Sequence, residues 1–152
     1  MAQVISATAL GAYRGGAGAR VARPSAHSPE EFLNKARVLL AQAARESERG
    51  RGDEALECAY RCSLRVAGAV LAAREGGRRR RGTASAWARL GALGPRERRW
   101  AEEFQSFSRL RSRLNSGLES RVEDAVVRRL LLLVSEFLGE VEGDVLGVAA
   151  AA

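Results

Sequence analysis

The sequence predicts an all-α protein: an up-and-down bundle of four long helices and one short helix. Three observations carry that prediction. Ala, Leu, Arg and Glu, which favour helix, dominate the 152 residues, whereas aromatic residues make up 5% and prolines number three. Apolar residues recur at steps of three and four rather than in alternation. The periodic stretches are bounded by glycines or open on a Ser-Pro or Gly-Pro step.

The first helix opens at Ser28-Pro29-Glu30-Glu31, where Ser28 caps, Pro29 takes the first helical position and Glu31 completes a capping box. Phe32, Ala36, Leu39, Leu40 and Ala43 form its apolar face, and Gly50-Arg51-Gly52 ends it. Asp53 is the expected cap of a second helix running to about Glu75. Its VAGAVLAA stretch, Val66 to Ala73, is apolar or tiny throughout and therefore central, with Gly68 leaving room for a neighbouring helix. Gly76-Gly77 stops this helix, and Arg78, Arg79, Arg80 and Arg81 form a basic loop.

A short helical turn follows at Ser85-Ala86-Trp87, and Gly94-Pro95 opens the fourth helix, which buries Trp100, Phe104, Phe107 and Leu114. After Asn115-Ser116-Gly117, a last helix is expected from about Glu119 to Glu142. It buries Val122, Val126, Leu130, Leu133, Phe137 and Val141, with the run Leu130 to Val134 at its centre. The expected organisation is a basic arm over residues 1–28, a bundle over 29–143 and a short disordered tail over 144–152. The arm's glycines and small residues bury too little apolar surface to offset chain ordering. It is acid-free and contains arginine and serine, as organelle transit peptides do, but a disordered arm is the simpler reading.

One domain fits this length. The formal charge is +7, with three of those charges on Arg14, Arg20 and Arg23 of the arm. A basic balance marks nucleic acid or anionic surfaces as partners, yet 24 of the 25 basic residues are arginine, a bias that GC-rich coding also produces. No uncharged apolar run approaches the ~18 residues a membrane span needs, so a membrane partner is not expected and the cytoplasm is the expected location.

Cys58 and Cys62 stand one helical turn apart, but two cysteines are half a zinc site, and the single histidine, His27, lies in the arm. They read as small core residues in a reducing compartment, and neither metal nor cofactor is expected. Glu119, Glu123 and Asp124 suit the positive end of a helix dipole without any cation. Neither phosphate-cradling glycine motif is present. The dense positive feature within the bundle is Arg78–Arg81, whose guanidinium groups would hold phosphates without reading base sequence.

The order of these features resembles the HEPN superfamily (higher eukaryotes and prokaryotes nucleotide-binding domain), in particular a small subfamily typical of actinobacteria. The residues that carry it are LNKARVLLAQA, CAYRCSLRVAGAVLAAR, the Ser85-Ala86-Trp87 turn, GPRERRWAEEFQSFS and SRVEDAVVRRLLLLVSEFLGEVE, spanning roughly residues 30 to 143. In nuclease branches of the superfamily, an Arg followed after four to six residues by a His forms an RNA-cleaving site at a dimer interface. Arg121 stands in a comparable place, but the histidine positions hold Val126, Val127 and Arg128. The resemblance therefore implies a helical bundle and a homodimer without ribonuclease activity. Two readings stay open: a non-catalytic module associating with nucleic acid, RNA included, or with nucleotides, and a protein-interaction module that pairs with itself or with a partner protein.

Overall fold

The computed structural model describes residues 28–75 and 83–151, which form five helices and, among the described residues, no strand. They are α1 (Pro29–Glu48), α2 (Gly52–Glu75), α3 (Ala86–Gly91), α4 (Pro95–Asn115) and α5 (Asp124–Ala151). The arm and the run Arg78–Arg81 lie outside the described residues.

The Ser28 side chain accepts a hydrogen bond from the Glu31 amide at 3.2 Å, and Pro29 occupies the first turn. Gly50 closes the α1–α2 turn at φ +73°, a left-handed conformation that favours glycine, while the Arg51 amide returns to the Glu46 carbonyl at 2.9 Å. This closure is tighter than the sequence suggests. Gly52 is the first residue of α2 rather than part of the break, and Asp53 lies inside the first turn instead of capping it.

The helix α2 is the centre of the bundle, packed against α1, α5 and the α3–α4 pair. From Ala55 onward it buries eleven residues, including Leu56, Tyr60, Val66 and Leu71. At Gly68 a Cβ would stand 2.8 Å from the Phe32 ring, so the missing side chain is what lets α1 lie this close. Cys58 and Cys62 are buried thiols, and the Cys62 Sγ donates to the Ala36 carbonyl at 3.1 Å.

An aromatic cluster joins α3, α4 and α5. Trp87 stacks on Phe104 at 5.3 Å between centroids, Trp100 on Phe104 at 5.8 Å and on Phe137 at 4.9 Å. Tyr60 accepts a hydrogen bond from the Trp87 indole at 3.0 Å and carries the Arg111 guanidinium 5.1 Å from its ring centroid. Phe104, Phe137, Leu130 and Val66 are buried in one core, with Phe32, Leu39, Val70, Trp100 and Leu133 half-buried against it.

The last helix departs from expectation at both ends. Glu119 does not open it: the Leu118 and Glu119 amides both bond the Arg113 carbonyl, and Glu119 pairs with Arg113 at 2.7 Å, so this segment closes α4. Beyond Glu142 the chain stays helical to Ala151, where a disordered tail from 144 was expected. Asp144 holds Arg96 at 3.0 Å, and Val145 packs on the core. The buried seam is Val127, Leu130, Val134, Phe137, Leu138 and Val141. Val122, Leu130, Phe137 and Val141 are buried as expected, whereas Val126 and Leu133 are only half-buried and Val127 and Val134 are buried instead; Val122 and Val127 both lie against Gly52, where a Cβ would stand 3.1 and 3.6 Å from their methyl carbons. The run Leu130–Val134 covers more than a full turn, so part of it must face out, and Leu132 is 61% exposed.

Candidate functional site

The segment before α5 places Arg121 at a cleft of about 750 Å³ shared with the α1–α2 turn. Gly52 is the reason the two segments meet, since any larger residue there would press on Val122. The N-termini of α2 and α5 both open on this cleft, so their unpaired amides add partial positive charge to Arg51 and Arg121. Asp53, Glu54, Glu123 and Asp124 line the same cleft and outnumber the two arginines. Arg121 is exposed and has no ion pair among the described residues, whereas Arg51 reaches Glu46 at 3.4 Å.

The three positions where a histidine partner of Arg121 would fall take different environments. Val127 is buried, Val126 half-buried and Arg128 exposed. The one histidine of the chain, His27, lies outside the described residues, so no imidazole accompanies Arg121 among those described. Burial raises both thiols, and Cys62 is pushed up to about 12. Among the described residues no three His, Cys, Asp or Glu side chains are grouped to hold a metal ion.

The run Arg78–Arg81 leaves the described chain at Glu75, at the opposite end of α2 from Gly52, about 35 Å away at 1.5 Å per residue. Glu75 pairs with Arg89 of α3, which ties together the two ends of the segment carrying the run. Ser85 caps α3 by accepting from the Ala88 amide at 3.2 Å.

The balance of charge can be counted in the sequence, but which groups pair could not be read there. The described residues contain 18 Arg and Lys against 18 Asp and Glu, a net charge of zero. Many are joined across helices, as in Arg111–Glu57, Arg74–Glu97, Arg96–Glu140 and Arg129–Glu103. The Glu57 carboxylate holds the Arg111 guanidinium above its ordinary value through a paired hydrogen bond. The chain's +7 consequently resides in Arg14, Arg20 and Arg23 and in Arg78–Arg81.

The described residues thus form an all-α bundle with an exposed arginine just ahead of its final helix. The model of the SAV_6107-like HEPN family matches residues 47–142, from the end of α1 to within α5, and the chain belongs to that family. The helix α1, which packs along α2, lies almost wholly outside the matched span. No curated protein and no solved structure matches the chain. No described helix is long and apolar enough to cross a membrane.

Proposed function

We propose that this HEPN-family protein is a non-catalytic module that associates with RNA or nucleotides through the arginines of its 78–81 run. The observation that supports this reading is the segregation of charge: the described bundle is neutral, and the excess arginines fall in two segments outside it. Guanidinium groups gathered in this way neutralise phosphates and release counterions, a contribution independent of base sequence. Among the described residues Arg121 has no imidazole partner, and it shares its cleft with four carboxylates, which supports a reading in which it neither cleaves RNA nor dominates binding. The test is a titration of a labelled single-stranded RNA at two salt concentrations, comparing wild type with the variant in which Arg78, Arg79, Arg80 and Arg81 are all Ser. The variant's salt slope should flatten by roughly 3, about 0.7 per lost single-strand phosphate contact. Equal, weak binding by both proteins would refute the reading.

A second reading, a protein-interaction module that forms homodimers, is favoured by the outer face of α5. Leu132 and Leu146 are 61% and 64% exposed. They stand seven residues either side of Gly139, where a Cβ would meet nothing within 4 Å. In an antiparallel pairing of two copies centred on Gly139, each Leu132 meets the other Leu146. Sedimentation equilibrium decides it: a dimer converted to monomer by Leu132→Glu supports this reading, and a wild-type monomer removes it.

A further inference from the structure

At the pole where α1 begins and α2 ends, beside the point at which the chain leaves α2 toward the 78–81 run, lies a groove of about 420 Å³. Val70 of α2 and Phe137, Val141 and Val145 of α5 give it an apolar floor. Its rim carries Glu30, Glu97, Glu140 and Asp144 against Arg74 and Arg96. Both arginines are already engaged, Arg74 with Glu97 at 3.1 Å and Arg96 with Glu140 at 3.2 Å and Asp144 at 3.0 Å. The rim thus keeps an excess of two negative charges over an apolar floor, which suits a segment that is apolar and cationic and disfavours a polyanion.

We propose that the occupant of this groove is the chain's own N-terminal segment, residues 14–27. Pro29 itself lines the groove, so the preceding chain enters at its edge, and tethering gives the segment a high effective concentration there. Length is no obstacle. The groove's α5 wall from Phe137 to Val145 measures about 12 Å at 1.5 Å per residue. The eight residues 20–27 can reach about 26 Å when extended. The chemistry is complementary, because the segment contains Arg14, Arg20 and Arg23 and no acid, and Val21 stands between two of those arginines. A single apolar side chain flanked by cations matches an apolar floor flanked by carboxylates.

Disulfide trapping in the full-length chain tests this. Val145→Cys is combined in turn with Ala17→Cys, Val21→Cys or Ser25→Cys. The reference pairs each arm cysteine with Leu118→Cys, an exposed position beyond the far end of α4. The native Cys58 and Cys62 are buried and contribute little background. A disulfide forms only where the Cα atoms come within about 7 Å. At least one arm position should crosslink within the monomer to position 145 about 10-fold faster than to position 118. Because tethering alone favours the nearer cysteine, the same pairs are repeated with Glu30→Arg and Asp144→Arg, which should reduce the preference several-fold, to the part that tethering alone supplies. Equal rates to both positions, a preference unmoved by charge reversal, or crosslinks confined to dimers would each overturn the proposal.

Discussion

Replacing Phe104 by Ala probes the centre of the fold. Phe104 is fully buried, and its ring lies 5.3 Å from Trp87, 5.8 Å from Trp100 and 5.3 Å from Phe137. Removing a buried phenylalanine costs about 3–5 kcal/mol through lost transfer energy and the cavity left behind. The three ring contacts, each worth about 0.5–1.5 kcal/mol beyond burial, place this site toward the upper end. The neighbours cannot collapse inward easily, since Trp87 is held by Tyr60 at 3.0 Å and Trp100 by Glu140 at 2.8 Å. We expect a loss of about 4–5 kcal/mol and a fall in Tm of about 10–15 °C. Urea unfolding followed by tryptophan fluorescence measures it, and both tryptophans of the chain touch the deleted ring, so the native emission should shift as well. Phe107→Ala, outside the ring cluster, should cost less. A Phe104→Ala loss under about 1.5 kcal/mol, or one no larger than that of Phe107→Ala, would refute this account of the core.

Two glycine substitutions in α2 and α5 should move stability in opposite directions in thermal melts. Gly68→Ala forces the Phe32 ring to move from 2.8 Å and should lower stability by about 1–3 kcal/mol, whereas Gly139→Ala meets nothing and should raise it by up to about 1 kcal/mol. Purified protein should leave a labelled RNA intact, with Arg121→Ala indistinguishable from wild type; metal-free cleavage lost in that variant would overturn the non-catalytic reading. Cys62 stays protonated in the fold to about 12 but ionises near its ordinary range when unfolded, so its contribution to stability should be present below about pH 8.5 and be lost as pH rises toward 12. Thiol labelling of native protein at pH 8 should accordingly be slow and accelerate in urea.

The helix starts at Ser28 and Ser85 and the stop at Gly117 are legible in sequence because each is a local device: a hydroxyl bonding an amide three residues on, or a glycine at positive φ. The start of α5 is not, because Glu119 to Asp124 looks like an acidic helix opening while Glu119 is spent on Arg113, six residues back at the end of α4. Nor is the buried face of that helix. Five consecutive apolar residues give no preferred direction, and burial of Val127 and Val134 ahead of Val126 and Leu133 is set by packing on elements distant in sequence, such as Gly52 beside Val127. The arginine run and the neutrality of the bundle around it can be counted, yet which arginine meets which carboxylate cannot: Arg111 and Glu57 are 54 residues apart, and Arg96 and Glu140 are 44 apart. Such partners are set by packing alone.

Those same pairs determine how a salt titration is to be read. The outer face of α4 is strongly polar, and the helix is joined to α2 through Arg111–Glu57 and Arg74–Glu97 and to α5 through Arg96–Glu140 and Arg129–Glu103. Salt that competes with phosphate for arginine also screens these bridges, and loosening of α4 would lower RNA binding as well. The magnitudes decide against such loosening. Exposed ion pairs contribute about 0–1 kcal/mol each, while the stacked rings of Trp87, Trp100, Phe104 and Phe137 hold α4 by apolar burial that salt does not weaken. The fold should therefore survive the salt range in which phosphate contacts dissociate, and a slope that changes with the four arginines reports those contacts and not unfolding.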